Sequence, residues 1–260
     1  MSSKTLKDYA QSLNESRLNR EPRTQITAEY SDLTVNEAYQ IQAMGIDFRR
    51  TQSEHLVGMK MGLTSEAKRR QMDLDAPCFG YLTDKMRINS GDTLKLKDAI
   101  HLKIEPEVAF FFEEDIHAEM TRDELISRCT GVAPALEILD TRYEAFKYFS
   151  LEDVVADNSS SFKFVLGEPQ PLEGKDLMNM TLEMSVNDQI VETGKSEAIS
   201  GDPMKSVEQL LELTKRFGQT FESPGFVLAG AATPAYNLEP GIEVKLHVTG
   251  LSEISLKVEA

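Results

Sequence analysis

The chain has 260 residues, 40% hydrophobic and 27% charged, with a formal net charge of -15, which suits one sizeable globular core and opposes nucleic-acid binding, where clustered Lys and Arg are needed. No apolar run approaches the roughly 20 residues of a membrane span, and Cys78 and Cys129 stand in neither disulfide-framework nor zinc spacing. The expectation is a cytoplasmic protein in a reducing compartment, bound neither to nucleic acid nor to membrane, whose acidic surface would repel a dianionic ligand unless a metal, a lysine or oriented amides receive it locally.

Leu6, Tyr9, Ala10 and Leu13 stand at helical spacing in a charged start that lacks the apolar stretch of a signal peptide. After a loop, Thr34 and Glu37 form a capping-box pattern that opens a helix through Ala38, Ile41, Gly45 and Phe48. Residues 1–55 therefore read as an N-terminal helical region. From Leu56 the text changes to short strands broken by turns, so residues 56–260 read as a β-rich domain. Two helices interrupt it. One opens at Thr121 with Glu124 three residues on; the other opens at Asp202 with Pro203 in its first turn, buries Val207, Leu210, Leu211, Thr214 and Phe217, and stops at Gly218. With no repeat or linker, the helical start should pack directly on the strands, giving an α+β class.

Chemistry-bearing residues come in the same order. Lys60 in "GMKMGLTSEAKRR" stands in a short strand, with Gly62 permitting close backbone approach and Thr64 and Ser65 able to cap a following helix whose first amides form an anion site. Nearby acids would favour its charge and burial would oppose it, so it is either an acid–base group or an ordinary snorkelling lysine.

In "HLKIEPEVAFFFEEDI", Glu105 and Glu107 share one strand face while Ile104, Pro106, Val108, Phe110 and Phe112 form the opposite, core-facing row. Two carboxylates so placed need a cation or a proton between them, unless they lie on the wet face of an edge strand blunted by Pro106. Glu137 in "APALEILD" is a third acid in an apolar strand, costly to bury unless it pairs with Arg142 or a lysine, or binds a metal. All-oxygen ligands suit Mg²⁺, Mn²⁺ or Ca²⁺.

Further on, Asp157, Asn158 and Ser159 to Ser161 read as a turn or as hydrogen-bonding groups for a substrate or for Lys60, and Thr233 in "GAATPAY" as a turn or a ligand contact. His55, His101, His117 and His247 show no metal-binding pair, and Cys78 has no histidine partner that would make it a nucleophile.

The segments "GMKMGLTSEAKRRQMDLDAPCFGYLTDKM", "KIEPEVAF", "PALEILDTRY" and "VVADNSSSFKFVLG" together resemble the hydratase and decarboxylase branch of the fumarylacetoacetate hydrolase superfamily, over the chain from about Leu56 to its end. The resemblance implies a mixed β-sandwich roll with an N-terminal helical region, and Mg²⁺ or Mn²⁺ held by Glu105, Glu107 and Glu137. It implies a choice between hydration of 2-hydroxypenta-2,4-dienoate and decarboxylation of 2-oxo-3-hexenedioate in the meta-cleavage breakdown of aromatic compounds.

Hydratases of this branch carry an aspartate where Cys78 stands. A thiol replaces a carboxylate base poorly, so the resemblance favours decarboxylation. Lys60 would then orient or protonate the dienolate, and amides near Leu63 and Thr64 would bind the substrate's C1 carboxylate. Asp157, Ser160, Ser161 and Thr233 are further substrate contacts, and Met61, Met72 and Phe79 lining residues. The partners implied are a small 2-oxo dicarboxylate, further copies of the chain in a homo-oligomer, and a 2-keto-4-pentenoate hydratase that consumes the product. A non-catalytic acidic subunit supporting a partner enzyme is the rival of another class.

Overall fold

The computed structural model describes residues 4–65, 76–146 and 150–260. Helices α1 (Leu6–Asn19), α2 (Ile26–Glu29) and α3 (Val35–Thr51) come first. Thr5 with Asp8, and Thr34 with Glu37, close reciprocal capping boxes at α1 and α3. These satisfy helix amides that would otherwise lack partners. α4 (Arg122–Arg128) is capped by Thr121 and α6 (Pro203–Arg216) by Asp202, with Gly218 at φ +66 beyond its end. α5 (Leu151–Ala156), capped by Ser150, was not expected from periodicity, because six residues are too few to display one.

Thirteen strands are named in the described residues: β1 (Leu56–Gly62), β2 (Cys78–Thr83), β3 (Arg87–Ile88), β4 (Thr93–Lys95), β5 (Lys103–Phe112), β6 (Cys129–Leu139), β7 (Ser161–Leu166), β8 (Thr181–Val186), β9 (Gln189–Lys195), β10 (Gly225–Leu228), β11 (Tyr236–Asn237), β12 (Glu243–Val248) and β13 (Ile254–Glu259). They form an eight-stranded sheet in the order β2-β1-β10-β5-β6-β7-β3, with β11 also on β5, and a five-stranded sheet β4-β13-β12-β8-β9. "TLEMSVNDQIVET" divides into the hairpin β8–β9, with Asn187 and Asp188 both at positive φ, as a tight two-residue turn requires. This is the mixed β-roll with an N-terminal helical region.

β5 is not an edge strand. It pairs with β6 along its length and with β10 and β11 on its other side. Pro106 is tolerated because β10 has given way to the 229–232 segment beside it: the Pro106 carbonyl accepts the Ala232 N–H at 3.2 Å. The N–H that proline lacks would have pointed to that same side, so no ladder bond is lost.

The large sheet curls into a roll. Its outer face (Met59, Met61, Phe79, Val108, Phe110, Leu136, Ile138, Val165) joins one continuous core with the helices and the second sheet. Its inner face is filled at one end by Leu82, Ala109, Ala135, Phe164, Leu166, Phe226 and Leu228. Further along the same inner row of β5 come Glu107, Glu105 and Lys103.

The helical start closes the edge of this sheet. β2 is its terminal strand, and the Phe79 carbonyl, which has no further strand to meet, accepts Gln42 Nε2 at 2.9 Å. The same amide reaches the Val155 carbonyl at 3.0 Å. Asn158 completes the edge, its Oδ1 accepting the Tyr81 N–H at 2.8 Å and its Nδ2 donating to the Tyr81 carbonyl at 2.9 Å. Gln42→Leu removes a donor from two buried carbonyls and is expected to cost about 2 kcal/mol, read as a lower urea midpoint at unchanged slope; an unchanged midpoint would mean that the bonds contribute nothing.

Candidate active site

β5 and β6 set the acids. Their antiparallel register pairs Glu105 directly with Glu137 and Glu107 with Ala135, so all three carboxylates face the inside of the roll. One oxygen from each lies within 4.8 Å of the others. Glu107 and Glu137 are fully buried and Glu105 is 9% exposed. Glu107 Oε2 accepts the Gly230 N–H at 2.9 Å, but Glu107 Oε1 and Glu137 Oε1 have no hydrogen-bond donor.

The opposing cation is Lys60, 3% exposed. β1 and β6 are separated by β10 and β5, a span of about 14 Å in a flat sheet. Curling removes that distance: Lys60 Nζ lies 3.1 Å from Glu137 Oε2. It also donates to the Ser159 carbonyl and hydroxyl oxygens, each at 3.3 Å. Arg142, the other partner considered for Glu137, instead binds Asp157 through its guanidinium.

Burial pushes the Glu137 carboxyl up to about 7, the nearby Lys60 charge opposing the rise. Burial, reinforced by Glu137, also raises Glu107 well above the carboxylate range. For Lys60, burial works against the ammonium, but the charges of Glu137 and Glu107 outweigh it and the net shift is upward. One lysine facing three inward carboxylates leaves the cluster short of positive charge, and the orphaned oxygens are the sign of that shortage.

Backbone strain surrounds these groups. Asn158, Ser159 and Ser160 take φ of 49°, 52° and 57° in succession, a left-handed turn that costs L-residues about 1–2 kcal/mol each. Buried throughout, it bridges β2 to the start of β7 and delivers Ser159 to Lys60. Gly62 lies beneath it: a Cβ there would stand 2.7 Å from Ser159 Oγ and 3.2 Å from Cys78 Sγ. Leu63 is also left-handed, at φ +58. Thr64 follows, buried against Gly230, where a Cβ would meet Thr64 Oγ1 at 2.4 Å.

Lys60, Glu105, Glu107 and Glu137 thus come together, with Thr64 touching Gly230, the residue that holds Glu107. Of the three serines read as a turn or as hydrogen-bonding groups for a substrate or for Lys60, Ser159 is the hydroxyl that meets Lys60; nothing in local periodicity marks a run of left-handed residues. The Asp157 carboxylate is taken up by Arg142 and Thr141, so it serves the scaffold rather than the cluster. Ser160 engages through its backbone, to Asp140 and Asp157. Ser161 Oγ is buried without a hydrogen-bond partner, against Gly80. Thr233 is buried and donates to the Pro234 carbonyl at 3.1 Å.

Cys78 Sγ lies 3.3 Å from Ser159 Oγ, and burial raises its thiol above the ordinary value, which keeps it protonated. Met61 and Phe79 belong to the outer-face core rather than lining the cluster. Met72, and the helix expected after Ser65, lie outside the described residues. Among the described residues, no helix is long and apolar enough to cross a membrane.

No protein-family model matches the chain. It is 37% identical over 246 residues to a 4-oxalocrotonate decarboxylase of a Pseudomonas species, covering 95% of each chain. It is 31% identical over 255 residues to a 2-keto-4-pentenoate hydratase of Paraburkholderia xenovorans (strain LB400), covering 97% of this chain and 94% of the other. The solved structure of 4-oxalocrotonate decarboxylase from Pseudomonas putida G7, complexed with magnesium and adipate, superposes with a TM-score of 0.94 at 30% identity over 99% of this chain and 98% of that one. Sequence likeness over nearly the whole length, and a shared fold down to the curled sheet, lead to one conclusion: the chain belongs to the hydratase and decarboxylase branch of the fumarylacetoacetate hydrolase superfamily.

Proposed function

We propose that the chain is a divalent-metal-dependent carboxy-lyase that converts 2-oxo-3-hexenedioate (4-oxalocrotonate) to 2-hydroxypenta-2,4-dienoate and CO2. The observation that carries this reading is the buried trio of Glu105, Glu107 and Glu137, answered by one lysine and with two oxygens left without a partner, inside a chain 37% identical to a decarboxylase of that substrate.

The residues fit Mg²⁺ or Mn²⁺: three hard oxygen donors converge, no thiolate or imidazole stands among them, and a site with three protein ligands leaves room for substrate oxygens. Bound there, the cation supplies Lewis-acid stabilisation of negative charge on the substrate's C2 oxygen.

The chain's own groups do the remaining work. The backbone amides at Leu63, left-handed at φ +58, and at Thr64 receive the C1 carboxylate. Breaking the C5–C6 bond releases CO2 and sends the electron pair through the C3=C4 bond to the C2 oxygen. Lys60 Nζ, kept as an ammonium by Glu137 and aimed by Ser159, gives that oxygen the proton that completes 2-hydroxypenta-2,4-dienoate. The buried inner face holds bulk water away from the dienolate.

The test is CO2 release from 2-oxo-3-hexenedioate by the purified protein with Mg²⁺ or Mn²⁺, with and without chelator; no release in either metal would sink the reading. Likeness to a 2-keto-4-pentenoate hydratase supports a second reading, water addition to 2-hydroxypenta-2,4-dienoate. Against it stands the protonated, buried Cys78, which offers no carboxylate to activate water. Loss of the diene absorbance without CO2 release would favour it. The homo-oligomer and the pairing with a hydratase belong to this same proposal.

A pH dependence follows from the cluster. Without metal, Glu137 holds its proton up to about pH 7 and burial raises Glu107 as well, and an incoming ion must displace the protons they carry. Metal affinity is therefore expected to fall as pH drops through about 7, where Glu137 takes up its proton. Calorimetric titration with Mg²⁺ at pH 6 and 8 checks this; equal affinities would show that no proton is displaced.

A further inference from the structure

The inner row of β5 carries one more charged residue. Lys103 lies two residues before Glu105 on the same face, and the β5–β6 register, continuous from Lys103 to Phe111, pairs it with Leu139 as it pairs Glu105 with Glu137. Exposure rises along this row: Glu107 is fully buried, Glu105 is 9% exposed and Lys103 is half-buried. The other end of the inner face is filled with apolar side chains. The roll therefore opens in the direction of Lys103.

Lys103 Nζ stands 4.8 Å from the centroid of the Phe146 ring. Among the described residues it forms no ion pair, although the chain carries 43 acidic residues against 28 Lys and Arg. A half-buried ammonium held over an aromatic face, with no carboxylate paired to it among the described residues, is available to an incoming anion.

Charge counting says which anion. Three carboxylates are balanced by Lys60 and a dication, so both negative charges of a 2-oxo dicarboxylate arrive without compensation. The amides at Leu63 and Thr64 serve one of them. Residues two apart in a strand are separated by about 6.8 Å, close to the length of an extended six-carbon chain, which spans about 6 Å between its end carbons.

We propose that Lys103, steadied by Phe146, binds the distal carboxylate of the substrate at the mouth of the roll and so selects six-carbon 2-oxo dicarboxylates over 2-oxo monocarboxylates. This rests on the assignment of the three glutamates as the metal site, and it deepens that assignment by naming the residue that recognises the far end of the ligand.

The test uses binding rather than turnover. The probes are 2-oxohexanedioate and 2-oxohexanoate, which lack the double bond that makes the C6 carboxylate labile and differ only in that carboxylate. Calorimetric titration of the Mg²⁺-loaded protein should show the wild type preferring the dicarboxylate by about tenfold, as one charge-assisted contact at a partly exposed site supplies. Lys103→Met, which keeps the apolar stem on Phe146, should abolish the preference and leave affinity for the monocarboxylate unchanged. Lys103→Arg should retain it.

A preference that persists in Lys103→Met, or a wild type with none, overturns the inference. Equal loss of both ligands in Lys103→Met and Lys103→Arg overturns it as well, since that marks a structural role. Because these titrations involve no CO2 release, a wild type that binds with the Lys103-dependent preference but does not decarboxylate would remove the proposed reaction while upholding the recognition site.

Discussion

Glu107→Gln is expected to lower CO2 release by at least about 10³-fold, because removing one of three metal donors forfeits several kcal/mol of transition-state stabilisation. The more telling result concerns stability. Gln keeps a carbonyl oxygen for the Gly230 N–H and can donate its amide to the neighbouring carboxylate, while one buried like charge disappears. In chelator the variant should therefore melt above the wild type, by roughly 2–4 °C for each kcal/mol of repulsion relieved.

The sign with pH is fixed by linkage. Glu107 and Glu137 hold protons more tightly folded than unfolded, so the metal-free wild type loses stability as pH rises above about 4.3, the share due to Glu137 being complete near 7. The Gln variant should lose less over that window. A metal-free Glu107→Gln protein that melts below the wild type at pH 7.5 would show that the acids are not in mutual repulsion.

The second large effect is at Lys60. Lys60→Met preserves most of the side-chain volume and removes the ammonium, and turnover should fall by about 10²–10⁴-fold, the usual worth of a positioned proton donor. Metal affinity should move the other way. Lys60 competes with the ion for Glu137 Oε2, at 3.1 Å, so its removal leaves that oxygen to the metal alone. A variant with lower turnover and tighter Mg²⁺ binding fits a proton donor. Turnover equal to the wild type would end that assignment, and weaker Mg²⁺ binding would mean that Lys60 supports the cluster rather than competing with it.

What the sequence showed, and what it hid, divides by the range of the interaction. Glu105 and Glu107 were legible because a period of two places them together, and Glu137 because an acid in so apolar a strand needs a partner. The pairing of Glu105 with Glu137 was not, since register between residues 32 apart in sequence leaves no local trace. β2 escaped notice because both of its faces are buried, which erases the alternation that marks a strand. Ser159 was one serine of three until the left-handed turn singled it out. Gln42 could have been found: a glutamine among Ala38, Ile41 and Ile46 on the buried face of α3 must bond to something. Pro106 misled for the opposite reason, since proline in a strand usually marks an edge and here marks the place where a neighbouring strand departs.

The curl of the large sheet sets how the molecule can come apart. Lys60 and Glu137 meet only because four strands bend into a hoop, and the segments that make it, from Leu56 to Leu228, are scattered over most of the chain. Such long-range wiring disfavours local fraying: amides in β1 and β6 should exchange with solvent in one shared opening, and a loaded ion would act as a rivet on the whole hoop rather than on any one strand.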